Sequence, residues 1–122
     1  MTYLAISIGA ILGANARFAL GGWVLDRMGG EFPYGTLLIN VSGSFLIGAT
    51  YALIERYGAP DWVRPLVIVG FLGAYTTFST FSLDALALAE RGAWLAAGAY
   101  VLGSVAASLA AVWAGILLGG VG

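Results

Sequence analysis

The chain has 122 residues, of which 61% are hydrophobic and 9% are charged, and its mean hydropathy is +0.95. A water-soluble domain of this composition would expose a large apolar surface, so the composition indicates an integral membrane protein. Five arginines, six acidic residues and a net charge of -1 provide no basic surface, and we expect no nucleic-acid partner. Since the chain has no cysteine and no histidine, it lacks the commonest nucleophiles, metal ligands and general bases, and we do not expect an enzyme.

Four stretches are long and apolar enough to cross a lipid bilayer as helices, which takes about 20 residues each. The predicted helices cover approximately residues 3–25, 34–54, 65–89 and 93–118. Pro33 precedes the second stretch, and the charged pair Glu55 and Arg56 follows it. We therefore predict an all-α integral membrane protein in which residues 1–122 form a single transmembrane domain of four helices.

The arginines near the helix ends divide evenly between the two sides of the membrane. Arg27 and Arg91 fall in the first and third loops, whereas Arg56 and Arg64 flank the second loop on the opposite side. Because the asymmetry of basic residues sets orientation, this balance predicts a dual topology, in which the chain inserts both ways. The alternative is a single orientation, set by Arg17 if it counts with the N-terminal side.

Small residues recur at four-residue intervals on the first and fourth helices, where they allow helix backbones to approach closely. They are Ala5, Gly9, Gly13 and Gly21 on the first helix, and Gly103, Ala107, Ala111, Gly115 and Gly119 on the fourth. Each stripe is consistent with packing inside one subunit or between two subunits. Together with the balanced arginines, the stripes favour an antiparallel homodimer.

Polar side chains form two further stripes with the same spacing. The residues are Thr36, Asn40 and Ser44 on the second helix, and Tyr100, Ser104 and Ser108 on the fourth. An amide or hydroxyl left unpaired in hydrocarbon costs several kcal/mol by the usual estimates, so these groups must face protein or water. They either join helices to one another or line a polar track.

Residues 70–82 have a composition that favours a helix break near mid-membrane, because glycines and β-branched residues stand together without a charge. The freed backbone groups are tolerated at that depth only where they line a cavity or bind an ion. Phe78 and Phe81 share a face of the helix that resumes after the break, where they either pack in the core or present electropositive ring edges to a small anion. Hydroxyl donors stand beside them at Thr77, Ser79 and Thr80.

Two ionisable residues lie within or near the spans. Arg17 either reaches an interface or attracts anions from inside the first helix. Asp84 lies one turn beyond Phe81, and we expect it to pair with an arginine or a backbone amide.

Four blocks of sequence resemble the Fluc (CrcB) family of fluoride channels over essentially the whole chain. The blocks are residues 13–18, residues 35–45, residues 70–82 and the polar stripe of the fourth helix. Ala74 stands where family members often have glycine, and Asp84 stands where they usually have glutamate. The resemblance implies an antiparallel dual-topology homodimer in the plasma (inner) membrane of a prokaryote, which lets cytoplasmic fluoride leak out passively and so lowers its toxicity.

The resemblance also implies roles for individual residues. Asn40 would be a hydrogen-bond donor in the fluoride pathway, Phe78 and Phe81 would contact fluoride through their ring edges, and Arg17 would lie in the vestibule. The polar track facing these rings would be Tyr100, Ser104 and Ser108. The backbone carbonyls of Gly73 and Thr76, one pair from each subunit, would hold a structural sodium ion that is not transported.

Two other functions are compatible with a small four-helix membrane protein. One is a proton-coupled exporter with Asp84 as the coupling acid, and the other is a structural subunit that transports nothing. A channel is favoured because it needs only donors that replace the lost hydration of the ion, whereas proton coupling needs a buried group that titrates during transport.

Overall fold

The computed structural model describes residues 1–120. Within this range the chain is helical without strands, and four segments are long and apolar enough to span a membrane, which confirms the predicted all-α class and the number of spans. Helix α1 covers Thr2–Met28, α2 covers Tyr34–Tyr57 and α5 covers Trp94–Gly120. The remaining span lies between Arg64 and Glu90.

This third span consists of two helical pieces. The first, α3, is π-helical over Arg64–Leu72 and continues with a short α-helical turn over Gly73–Tyr75. Thr76 and Thr77 are not helical, and α4 then covers Phe78–Glu90. A stretch of π-helix is rare in proteins and is frequently found at functional sites.

Helices α1 and α2 run further than the sequence predicted, to Met28 and Tyr57 instead of residues 25 and 54. Their last turns keep Arg27 and Arg56 helical, because charged residues are acceptable where a helix leaves the hydrocarbon. Both helices stop at a glycine with a positive φ angle, 77° at Gly29 and 75° at Gly58. Glycine adopts a positive φ angle without the strain that a side chain would add.

Helix α1 packs closely against α3 through glycine. A Cβ atom on Gly9 would lie 2.0 Å from the carbonyl oxygen of Leu66, and one on Gly13 would lie 2.1 Å from the carbonyl oxygen of Phe71. The two backbones therefore touch at both positions, and neither site has room for a side chain.

Helices α2 and α5 are joined in the same way. A Cβ atom on Gly48 would lie 2.2 Å from the Val112 carbonyl oxygen, and one on Gly115 would lie 2.2 Å from the Phe45 carbonyl oxygen. Gly9 and Gly13 of the α1 stripe, and Gly115 and Gly119 of the α5 stripe, therefore pack against other helices of the same chain. At Gly103, in the N-terminal half of α5, a Cβ atom would meet no other atom within 4 Å.

Three arginines form hydrogen bonds or ion pairs at the two ends of the helix bundle. The Arg91 guanidinium donates to the Glu31 carbonyl and joins the loop after α1 to the loop after α4. At the other end, Arg56 Nη1 donates to the Gly120 carbonyl at 2.8 Å, and Arg64 pairs with Glu55 at 3.4 Å. Arg91 and Arg56 thus mark opposite ends of the bundle.

Candidate functional site

The third span loses its helical conformation where Asn40 of α2 meets the backbone of Thr77. Thr77 N–H donates to Asn40 Oδ1 at 2.8 Å, and Asn40 Nδ2 donates back to the Thr77 carbonyl at 3.0 Å. In a continuous α-helix this N–H would bond to the carbonyl of Gly73, four residues earlier. The side-chain amide of Asn40 therefore replaces the hydrogen bonds that Thr77 would make in a helix.

Gly43, about one turn after Asn40, lets α2 come close to the same point. A Cβ atom at Gly43 would lie 2.3 Å from Thr76 Cγ2. A side chain on Gly43 would therefore meet the methyl group of Thr76, which lies here in the extended conformation, with φ −81° and ψ 159°. Gly43 was not among the site residues predicted from the sequence.

Two more carbonyls beside Thr76 have donors. The Leu72 carbonyl accepts from both the N–H and the hydroxyl of Thr76, each at 3.0 Å. The Ala74 carbonyl accepts from Nε of Arg17, which reaches it from α1 at 3.0 Å. Arg17 is therefore bound to the backbone of α3 through Nε, and its place in a vestibule stays a prediction.

The hydroxyl groups after Thr76 stabilise the start of α4. Thr77 is its N-cap: the Thr77 hydroxyl oxygen accepts from the Thr80 N–H at 3.2 Å and the hydroxyl donates to Thr80 Oγ1 at 3.0 Å. Ser79 Oγ lies 3.5 Å from Thr77 Oγ1. The hydrogen of the Thr77 hydroxyl is thus already used within the protein.

A groove of about 440 Å³ opens on the face of the bundle formed by α2, the third span and α5. It brings together most of the site residues predicted from sequence, which are Asn40, Gly73, Thr76, Thr77, Phe78, Phe81, Ser104 and Ser108. Ser44 also lines the groove, and its four-residue spacing from Asn40 was the sequence signal for it. Ser79 and Thr80 do not line the groove.

The two phenyl rings of α4 lie next to one another but in different surroundings. Their centroids are 5.6 Å apart. Phe78 is 79% exposed, whereas Phe81 is 9% exposed and packs on Tyr100 of α5 with centroids 5.1 Å apart. Tyr100 lies behind Phe81 and is not part of the groove lining, so the stripe on α5 reaches the groove only through Ser104 and Ser108.

Ser104 combines burial with an unused hydroxyl. The residue is 5% exposed, and its Oγ has no hydrogen-bond partner among residues 1–120. Because a buried polar group without a partner costs free energy, a site next to such a hydroxyl favours a ligand that completes the hydrogen bond.

Asp84 has a different partner from the one expected. Its Oδ2 accepts a hydrogen bond from the Tyr100 hydroxyl at 3.1 Å, where the sequence suggested an arginine or a backbone amide. The reason is the packing of α4 on α5, which places the phenol next to the carboxylate, whereas Arg17 is bound to Ala74. The polar end of Tyr100 is therefore turned to Asp84.

The carbonyls of Gly73 and Thr76 remain without a donor. Hydrogen bonds occupy the carbonyls of Leu72, Ala74 and Thr77. The N–H groups four residues after Gly73 and Thr76 donate instead to the side chains of Asn40 and Thr77, and no backbone bond outside the helices ends on either carbonyl in residues 1–120. Carbonyl oxygens are suitable ligands for a hard cation such as sodium. Clusters of three or more acidic, histidine or cysteine side chains that could hold a metal ion do not occur in residues 1–120.

Comparisons with known proteins agree with the resemblance seen in the sequence. Residues 4–116 match the family described as "CrcB-like protein, Camphor Resistance (CrcB)". A protein of Methylococcus capsulatus named "Fluoride-specific ion channel FluC" is 50% identical over 97% of this chain, although the chain covers only 52% of that relative's length. Proteins of the same name from Roseiflexus and Rhizobium etli are 45% and 47% identical over 94% of this chain, which covers 94% and 93% of their lengths. The chain therefore belongs to the CrcB family.

Proposed function

We propose that this protein is a fluoride-selective passive ion channel, and not an enzyme. The observation that carries the proposal is the groove in which the buried, unpartnered hydroxyl of Ser104 stands with Ser108, Asn40 and the rings of Phe78 and Phe81. The relatives named as fluoride-specific ion channels support the same conclusion.

The groove offers the donors that a small, strongly hydrated anion requires. Fluoride must exchange its water for protein donors of similar strength without being held too tightly to leave. Ser104 and Ser108 supply hydroxyls, and Asn40 Nδ2 keeps a second N–H after donating one to Thr77. The electropositive edges of Phe78 and Phe81 add a weak attraction in a wall that is otherwise apolar.

We further propose that a second copy of the chain closes the groove in an antiparallel, dual-topology homodimer. The groove is open along one face, and the exposed ring of Phe78 stands at it. The even distribution of Arg27 and Arg91 against Arg56 and Arg64 supports insertion in both directions. In this arrangement the third span is a helix broken near mid-membrane, and two subunits supply two pathways.

The same assembly has a place for a structural sodium ion. The free carbonyls of Gly73 and Thr76 fit a hard cation, and one pair from each subunit would hold it at the dimer interface. When bound, the ion supplies a fixed positive charge between the subunits. Arg17 adds a second positive charge, which attracts anions toward the groove.

A passive pathway sets the direction of transport by the fluoride gradient alone. In the inner membrane of a prokaryote, fluoride that accumulates in the cytoplasm would therefore flow outward, and the cell would tolerate more fluoride. Tolerance in a fluoride-sensitive bacterial strain that expresses the chain tests this part of the proposal.

Efflux from proteoliposomes tests the channel directly. Vesicles loaded with potassium fluoride or potassium chloride receive valinomycin, so that potassium can leave with the anion, and both anions are followed with selective electrodes. We expect rapid loss of fluoride and no loss of chloride. Equal loss of both anions, or no fluoride loss from intact protein in sodium buffer, would contradict the proposal.

Proton coupling is tested with Asp84. A proton gradient imposed on wild-type vesicles should not drive fluoride against its concentration gradient, and Asp84→Asn should behave in the same way. Uphill transport in the wild type that Asp84→Asn abolishes would identify an exporter with Asp84 as the coupling acid.

A further inference from the structure

The interruption of the third span is supported by side chains from two other helices. Asn40 of α2 binds both backbone groups of Thr77, and Arg17 of α1 donates to the Ala74 carbonyl. In a continuous α-helix, Ala74 would accept from the N–H of Phe78. Arg17 and Asn40 therefore occupy backbone groups that would otherwise bond along the helix.

The position of Arg17 follows from the packing of α1. Gly13, one turn before Arg17, lies in backbone contact with Phe71, and this contact fixes the distance between α1 and α3. The Arg17 side chain is half-buried and reaches the last helical turn before Thr76, where its Nε lies 3.0 Å from the Ala74 carbonyl. A charged donor in this position makes a stronger hydrogen bond than a neutral one.

We propose that Arg17 is a positioning residue whose Nε–H, together with the Asn40 amide, holds the third span open and so leaves the Gly73 and Thr76 carbonyls available to a cation. This inference rests on the proposed function, since it concerns the proposed sodium site. Ala74 lies between the two carbonyls in sequence, so fixing its peptide fixes the direction in which they point. Without Arg17, the Ala74 carbonyl is free to accept from Phe78 N–H, which favours rewinding of the helix.

Three variants separate the donor from the charge. Arg17→Gln is neutral but keeps an N–H donor the same number of bonds from Cα as Nε. Arg17→Met is also neutral and of similar length but has no donor, and Arg17→Lys keeps the charge with a methylene in the place of Nε. The readout is the thermal unfolding of purified protein in detergent, titrated with sodium chloride against N-methylglucamine chloride at constant ionic strength.

We expect sodium to raise the unfolding temperature of the wild type, with a midpoint that Arg17→Gln keeps within about threefold. Arg17→Met should raise the sodium midpoint by about tenfold or more, as expected for the loss of one charge-assisted hydrogen bond. Equal midpoints for Arg17→Met and the wild type would overturn the inference. A second pattern would also overturn it: Arg17→Lys has the midpoint of the wild type, and Arg17→Gln is shifted as far as Arg17→Met. In that case only the charge of residue 17, and not its N–H donor, would determine sodium binding.

Fluoride efflux from wild-type vesicles separates this inference from the proposed function. Efflux without any stabilisation by sodium would overturn the inference and leave the channel intact. The expected sodium midpoints without fluoride efflux would support the positioning role and contradict the channel.

Discussion

The ring of Phe81 packs on the ring of Tyr100 with centroids 5.1 Å apart, and it is the buried member of the phenyl pair on α4. This contact joins α4 to α5 next to Ser104 and fixes the direction of the Phe81 ring edge. Phe81 therefore lines the groove, and Tyr100 supports its ring from the side away from the groove.

Replacing Phe81 tests whether the ring itself is needed. Phe81→Ile keeps an apolar side chain but removes the electropositive edge, so we expect fluoride efflux to be abolished or severely reduced while the proposed dimer stays intact. Efflux and size-exclusion elution are measured on the same preparation. The matched control is Phe18→Ile, since Phe18 is exposed on α1 away from the groove. Unchanged efflux in Phe81→Ile would remove the ring from the pathway.

Asn40→Asp changes both the charge and the hydrogen bonding at the interruption of the third span. A carboxylate can still accept from Thr77 N–H, but it cannot donate to the Thr77 carbonyl, and its negative charge repels an anion in the groove. We expect this variant to block fluoride efflux. Asn15→Asp is the control, because Asn15 is exposed and bonds only to the Ile11 carbonyl of its own helix. Efflux at the wild-type rate in Asn40→Asp would assign Asn40 a purely structural role.

Ser104→Ala distinguishes a ligand donor from a structural hydroxyl. Since Ser104 Oγ has no partner among the described residues, its removal should leave the unfolding temperature unchanged or slightly raised. Fluoride efflux should nevertheless fall by about tenfold, which corresponds to one lost hydrogen bond to an ion. Ser7→Ala, which removes a bond to the Tyr3 carbonyl on the exposed side of α1, should affect neither quantity. A large drop in stability with Ser104→Ala would mean that the hydroxyl has a structural partner.

Gly115→Ala tests the packing of α2 on α5. The added methyl group would lie 2.2 Å from the Phe45 carbonyl oxygen, and a backbone atom cannot move aside as a side chain can. We expect a loss of about 1–3 kcal/mol or more in stability, measured as a lower unfolding temperature in detergent. Gly103→Ala meets no atom within 4 Å and should be neutral. Equal effects of the two substitutions would contradict the close backbone contact.

The sequence predicted those features that depend on local pattern. Uninterrupted apolar stretches are sufficient to locate the spans, because a bilayer requires about 20 residues of helix. The four-residue spacing that puts Ser104 and Ser108 on one face of α5 is likewise local, and both residues line the groove. The glycines and β-branched residues of 70–82 predict a helix break near mid-membrane, which stays a prediction, and Thr76 and Thr77 of this segment are not helical.

The hydrogen-bond partners of the site residues could not be predicted from the sequence, because the two members of a pair lie far apart in the chain. Asn40 and Thr77 are 37 residues apart, and nothing in the local pattern shows that one would bind the backbone of the other. Ser79 and Thr80 were predicted to belong to the fluoride pathway, which stays a prediction; the structure places the Thr80 hydroxyl against Thr77, the N-cap of α4, and neither residue lines the groove. For the glycine stripes, periodicity identifies a contact face and leaves its partner undetermined.

The glycine contacts also determine when the bundle can assemble during synthesis. The close partner of α1 is α3, and the close partner of α2 is α5, so the pairs interleave along the chain. A nascent chain with two spans inserted has neither of these contacts, and the pairing of α2 must wait until the last span leaves the ribosome. Helix α1 can therefore pair with α3 once the third span is inserted, whereas α2 stays without its close glycine partner until α5 follows.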